Sequence, residues 1–426
     1  VQAEQEVSIP TTISKNSITN FSVTFLPDDT QYLTSYDKLV GNFTVEMKTY
    51  LENGDIYVSP IGTADGTGFL EDPLDLDTAT AFVRPGQKII LLDGRYLRTS
   101  KLEIKKYNDG TPESRKYLVA ADGARPIIDF DKKSEGVILS GNYWHIKGID
   151  FTHSAPNEKG FVIGGSHNIV EECQFYENGD TGLQISRTDI LEDDKSKWPS
   201  HNLILNCTSF DNRDPSDNNA DGFAAKLTSG EGNHFKGCIS HNNIDDGWDL
   251  YTKVGTGAIG PVVIEDCIAY NNGNLTDGTV GNGDKNGFKL GGEGVYVPHI
   301  IKNSIAFGNG AVGFTSNSNP GVIAINNIGF NNAGGNLDFS TYPGVTPDFE
   351  LNGFISFCTK DIMKDRYPEE LKTENNYLFN GSVSENSAGH RLSADNFLSL
   401  EPQLPFERDE QGNIIIGNFL KFIPVK

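Results

Sequence analysis

The chain has 426 residues, 46 glycines, two methionines, 37% apolar residues and a formal net charge of −23. That balance supports a long core but is too polar and turn-rich for a helical protein. It also lacks the basic footprint of a nucleic-acid or anionic-membrane binder, and no run of about 18 apolar residues exists to span a bilayer.

Taken in chain order, residues 1–50 are mixed polar and β-like with no repeat register, and read as an N-terminal extension, an appended strand layer or edge packing. Val1-Gln-Ala-Glu-Gln5 has neither a basic start nor an apolar stretch, so the chain reads as mature or trimmed. From residue 51 onward a single elongated domain is expected. Asp55-Ile-Tyr-Val-Ser59 is its first strand, followed by the turn Ala64-Asp-Gly-Thr-Gly68. Leu74 to Val83 reads as a short amphipathic helix closed by Arg84-Pro-Gly86, expected to cover the open apolar end of the strands that follow. Short β-branched and aromatic strands then begin at Lys88-Ile-Ile-Leu-Leu92, Tyr117-Leu-Val-Ala120, Gly136-Val-Ile-Leu139 and Tyr143–Ile149.

A six-residue frame now sets the architecture. Cys173-Gln-Phe-Tyr-Glu-Asn178 returns as Cys207–Asn212, Cys238–Asn243, Cys267–Asn272, Ser304–Asn309 and Asn327–Asn332. The starts are 34, 31, 29, 37 and 23 residues apart, a period that signals a solenoid with insertions collected in loops. The expected fold is all-β, a right-handed parallel β-helix, with the frame-ending asparagines bonded in an internal ladder because buried amides need partners. Four of the five cysteines share one rung position and read as a buried column of small thiols; parallel stacking gives neither tetrahedral zinc geometry nor a favourable disulfide. The eight histidines are scattered without metal-site spacing. The frame is lost after about residue 340. Ser393–Leu400 and Asn418–Phe422 are expected to pack back along the helix.

Aligning the strand after each frame gives Gly182-Leu-Gln-Ile185, Gly222-Phe-Ala-Ala225, Gly247-Trp-Asp-Leu250, Gly287-Phe-Lys-Leu290 and Gly313-Phe-Thr-Ser316. Period-two alternation turns Leu183, Phe223, Trp248, Phe288 and Phe314 inward, and Gln184, Ala224, Asp249, Lys289 and Thr315 outward. The position before the glycine, also outward, places Asp221 beside Asp246 on adjacent rungs, with Asp245 at the turn. Four carboxylates therefore gather next to Lys289. An all-oxygen acidic set suits Ca²⁺ rather than a softer metal. Lys289 works as a base only with a lowered pKa, which acids alone oppose and a bound cation favours. Lys285, at the turn position aligned with Asp245, is the second candidate.

The segments Asn219–Phe223, Asp245–Asp249 and Gly287-Phe-Lys-Leu-Gly-Gly292, with Ala64–Gly68 and Arg84-Pro-Gly86, together resemble polysaccharide lyase family nine over roughly residues 55 to 425. This family comprises β-helical pectate lyases and rhamnogalacturonan-cleaving relatives. The resemblance implies that Asp221, Asp245, Asp246 and Asp249 hold one Ca²⁺ and that Lys289 is the catalytic base. It also implies that a pectic polysaccharide is cut at C4 of galacturonate by β-elimination. Arg187, Lys226 and Lys285 are candidate substrate contacts. The net charge leans towards rhamnogalacturonan I, with a carboxylate on every second sugar, over homogalacturonan. A β-helical pectin hydrolase is the alternative, although its Asn-Thr-Asp, Gly-His-Gly and Arg-Ile-Lys motifs are missing; a non-catalytic calcium-containing carbohydrate-binding β-helix is another. A secreted, periplasmic or cell-surface location follows from the substrate; the sequence does not fix the oligomeric state, and a monomer is the expectation.

Overall fold

A computed structural model describes residues 9, 11–14, 16–25, 39–52 and 54–423. The opening Val1–Gln5 lies outside the described residues. Within the N-terminal extension, Ser17–Phe25 and Leu39–Met47 pair antiparallel as a two-stranded sheet.

The remainder is a parallel β-helix of three long sheets with 11, 10 and 9 strands, each rung adding one strand to each sheet. One complete turn runs Asn233–Lys236 in the first sheet, Ile239–His241 in the second and Trp248–Asp249 in the third, then returns to the first at Val262–Glu265. Strands this short persist because each is hydrogen-bonded on both sides and buries side chains against its neighbours rather than within itself.

The repeating frame has a stereochemical cause. Its fifth position, just before the ladder asparagine, adopts positive φ at Glu177 (53°), Asp211 (52°), Asn242 (52°), Asn271 (54°) and Asn331 (54°), with a glycine at Gly308 (65°). The left-handed region favours Asn, Asp and Gly, so these residues mark the corner where the chain leaves the second sheet. The next residue starts the ladder: Nδ2 of Asn178 donates to Oδ1 of Asn212 at 3.0 Å, and the series continues through Asn243 (2.8 Å), Asn272 (3.0 Å), Asn309 (3.0 Å) and Asn332 (2.8 Å). A second ladder, not foreseen, joins Asn202 to Asn233 at 3.0 Å at the entry to the first sheet. Cys173, Cys207, Cys238 and Cys267 form the expected buried column of free thiols.

The helix over Leu76–Phe82 is shorter than expected because Asp75 caps it, its Oδ1 accepting the Thr78 amide at 2.7 Å. Leu76 and Ala79 bury against the first rungs. The β-helix runs one rung further than the frame indicates, through Glu350–Asn352 and Ile355–Phe357. That rung ends in Cys358-Thr359 instead of the corner-and-asparagine signature, which hid it. The C-terminal segment packs back as expected: Leu392, Phe397, Phe419 and Leu420 form one cluster with Tyr270, Phe307, Phe330 and Phe357 on the outer face of the second sheet.

Candidate active site and cation cradle

The third sheet carries the chemistry, and its register is the one the alternation requires. Ala224 pairs with Asp249, Asp249 with Lys289, and Lys289 with Thr315. Beneath them the inward column stacks, with ring centroids 5.0 Å apart for Phe223–Trp248, 4.8 Å for Trp248–Phe288 and 5.0 Å for Phe288–Phe314. The glycine that opens each strand is required by close approach. A Cβ on Gly247 would meet the Gly287 carbonyl at 2.5 Å and the Asn272 amide nitrogen at 2.8 Å, so the rungs close only with glycine there. Any larger residue would push Asp246 and Asp249 away from their neighbours on adjacent rungs.

Asp221, Asp246 and Asp249 converge, each offering an oxygen within 4.8 Å of the others, and all three are buried. Asp245 stands apart. Its Oδ1 accepts the amides of Asp284 (2.5 Å) and Lys285 (3.1 Å), so it braces the turn while lining the same cleft. Lys289 Nζ lies 2.8 Å from Asp284, 3.2 Å from Asp246 and 3.8 Å from Asp249.

Three expected substrate contacts are placed differently. Lys226 lines the cleft, and its buried ammonium lies 2.7 Å from Asp221 and 2.8 Å from Asp249, within the acid cluster. Its stem reaches back two residues along the strand to the carboxylates, which alternation alone does not reveal. Arg187 turns into its own loop, donating to the Glu192 carbonyl at 2.6 Å and to Asp193 at 2.5 Å. Lys285 has φ of 59°, and its stem lies over Gly273 and Gly310 rather than in the cleft.

The electrostatics follow from burial. Desolvation pushes Asp221 up to about 8, with Lys226 opposing and Asp249 and Asp246 adding to the rise. It pushes Asp245 to about 7, helped by Asp221. Burial also carries Asp246 well above the carboxylate range against the pull of Lys289. Asp249 goes the other way: Lys226 and Lys289 together outweigh its burial and hold it low. Burial alone would lower Lys289, but Asp246, Asp249, Asp221 and Asp284 reverse this and hold its ammonium protonated. Two lysines thus offset only part of the acidic charge. Asp221 Oδ1 and Asp246 Oδ2 are buried without a hydrogen-bond donor, although Lys289 forms an ion pair with the latter. Two unsatisfied carboxylate oxygens in a cluster of three convergent aspartates fit a hard divalent cation such as Ca²⁺.

The surrounding cleft, about 530 Å³, is also lined by Lys159, Gln184, Tyr251, Lys253, Asp284, Glu293, Asn317 and Tyr342. Alternation places Gln184 on this outward face, while the others were passed over; of those, Tyr251 carried a legible signal, lying two residues beyond Asp249 on the same face.

Comparison with known proteins agrees with this geometry. The family described as "Pel9A-like, right handed beta helix region" matches residues 56–345. The chain belongs to this family. It is the polysaccharide lyase family nine whose motifs the sequence resembles. Residues 1–45 separately match the "Pectate disaccharide-lyase central Ig-like domain". The chain is 64% identical over 398 residues to a pectate lyase L of Thermoclostridium stercorarium, covering 93% of this chain but 32% of that protein. It is 40% identical to a pectate lyase L of Paenibacillus polymyxa, covering 88% and 82% respectively. The crystal structure of pectate lyase Pel9A superposes with a TM-score of 0.73 at 29% identity, covering 88% of this chain and 90% of that one. The chain thus spans about a third of the Thermoclostridium relative. Among the described residues, no helix is long and apolar enough to cross a membrane.

Proposed function

We propose that this chain is the catalytic module of a calcium-dependent pectic polysaccharide lyase that cleaves at C4 of galacturonate by β-elimination. The observation that carries the reading is the register of Asp249 with Lys289 above an oxygen cradle built from Asp221, Asp246 and Asp249. Asp245 borders the cradle and holds the turn that carries Asp284, itself the ion-pair partner of Lys289. Bound calcium would neutralise a galacturonate C6 carboxylate, acidify the C5 proton, and make the local field positive enough to draw the Lys289 pKa down.

Lys289 is the Brønsted base. Asp246 and Asp284 hold its nitrogen in one place, and burial shields it from water. Neutral Lys289 takes the C5 proton, and the charge that develops on the carboxyl group is stabilised electrostatically. The C4–O bond then breaks, leaving a C4–C5 double bond on the new non-reducing end. Lys226, held between Asp221 and Asp249, keeps Asp249 ionised and holds the two carboxylates in line without entering the reaction.

The relatives' names favour pectate as the polymer, and a secreted, periplasmic or cell-surface location follows from that substrate. Incubation with pectic polymers, with and without a chelator, tests the reading. The expected product is an unsaturated uronate, seen by ultraviolet absorbance and lost on chelation. New reducing ends without that absorbance would make the chain a hydrolase, and neither signal would make it a binding module.

A further inference from the structure

The outward position two residues before each inward aromatic of the third sheet forms a column along the solenoid axis. On successive rungs it reads Thr181, Asp221, Asp246, Asn286 and Val312. The two acids are thus bracketed by neutral residues, and Asn286 stands one rung, roughly 4.8 Å, beyond Asp246. A third carboxylate there would add to the repulsion between two that are already buried. The amide does the opposite. Asn286 Nδ2 donates to Asp246 Oδ1 at 2.9 Å, and the Asn286 backbone N–H donates to the same oxygen at 2.7 Å.

Both donors fall on one oxygen, and that fixes the direction of the other. Asp246 Oδ2 has no hydrogen-bond donor, lies 3.2 Å from Lys289 Nζ, and belongs to the cluster with Asp221 and Asp249. With Oδ1 held by two N–H groups, the carboxylate cannot turn without breaking both bonds. The amide is itself locked the right way round. Its Oδ1 accepts the Val312 N–H at 3.1 Å, so a flipped amide would set oxygen against oxygen at Asp246 and N–H against N–H at Val312. Asn286 is buried, which keeps water from replacing either bond. Asp221 and Asp249 are pinned differently, by the charge of Lys226. At Asp246 a neutral amide pins the oxygen without adding a cation to compete with the metal.

We propose that Asn286 is a positioning residue of the cation cradle, holding Asp246 so that Oδ2 rather than Oδ1 faces the bound divalent cation. The proposal rests on the calcium reading of the cradle and gives Asn286 no contact with cation or substrate. It also accounts for the residue type. Aspartate at this position would repel Asp246, and an apolar side chain would leave Asp246 Oδ1 and the Val312 N–H each one partner short.

The test measures the calcium Kd by titration calorimetry, at a temperature where each protein is folded, for wild type, Asn286→Ala, Asn286→Ser and Asn202→Ala. Side chains that orient metal ligands through hydrogen bonds typically carry about ten- to hundredfold in metal affinity, so Asn286→Ala is expected to raise the Kd at least about tenfold. Its rate of unsaturated uronate formation should recover towards that of wild type at saturating calcium. Asn286→Ser, too short to span the rungs, should raise the Kd likewise, and carries the test if the alanine variant does not fold. Asn202 donates to Asn233 at 3.0 Å in the second ladder, at the entry to the first sheet. Asn202→Ala should therefore lower the melting temperature and leave the Kd unchanged, which separates a weakened fold from a misdirected carboxylate. An unchanged Kd in the Asn286 variants, or an equal rise in Asn202→Ala, overturns the assignment and leaves the calcium reading intact. A wild type that binds no calcium overturns the calcium reading itself.

Discussion

Chelating calcium at pH 8 and at pH 5 should have unequal consequences for stability. Burial raises Asp245 from an ordinary 3.8 to about 7 and Asp221 to about 8 in the metal-free fold. The folded chain then holds protons that the unfolded chain has already released. This contribution to stability is complete below the ordinary carboxylate pKa and is lost as pH rises through about 7 to 8. Cation binding in the cradle needs Asp221 ionised. At pH 5, deprotonating Asp221 costs about 4 kcal/mol, three pH units at 1.36 kcal/mol each; at pH 8 that cost nearly vanishes. The stabilisation conferred by a fixed calcium concentration should therefore be larger at pH 8 than at pH 5 by about 4 kcal/mol. His299, which burial holds down at about 3, gains stability as pH rises towards the ordinary histidine range, but it does so with or without calcium. The difference between paired thermal melts, calcium against chelator, removes that background. Equal shifts at the two pH values, or a larger shift at pH 5, would refute the electrostatic account of the cradle.

Other outcomes follow from individual contacts. Asn243 accepts from Asn212 and donates to Asn272 and Ser240 in the buried ladder, so Asn243→Ala should cost about 3 kcal/mol in denaturant unfolding by orphaning those partners. Arg187→Ala and Lys285→Ala should keep uronate-forming activity within about twofold, the scale of surface substitutions away from the chemistry, because neither side chain enters the cleft. Reductant should leave the melting temperature unchanged, since all five cysteines are free thiols.

The fold was legible because a solenoid forces distant segments into one register. The six-residue frame encodes a left-handed corner followed by a buried amide, and both requirements restrict residue type strongly enough to be read by eye. From that register, the pairing of Asp249 with Lys289 follows by alternation alone. What alternation cannot convey is the reach of a long side chain. Lys226 occupies an outward position like any other, yet its four-carbon stem returns the ammonium to the acids. Turn geometry was equally hidden: Asp245 spends an oxygen on two backbone amides, and Lys285 swings away at a left-handed residue. Asp284, which pairs with Lys289, belongs to that same turn and gave no periodic signal.

The central claim is that Lys289 abstracts the C5 proton beside a calcium cradle. The most direct measurement is the initial rate of unsaturated uronate formation from polygalacturonate by Lys289→Ala at saturating calcium, with calcium stabilisation followed in parallel. The account predicts a loss of about a thousandfold, within the range for removing a general base, in a protein that calcium still stabilises. A Lys289→Ala protein that binds calcium and retains the wild-type rate would contradict it.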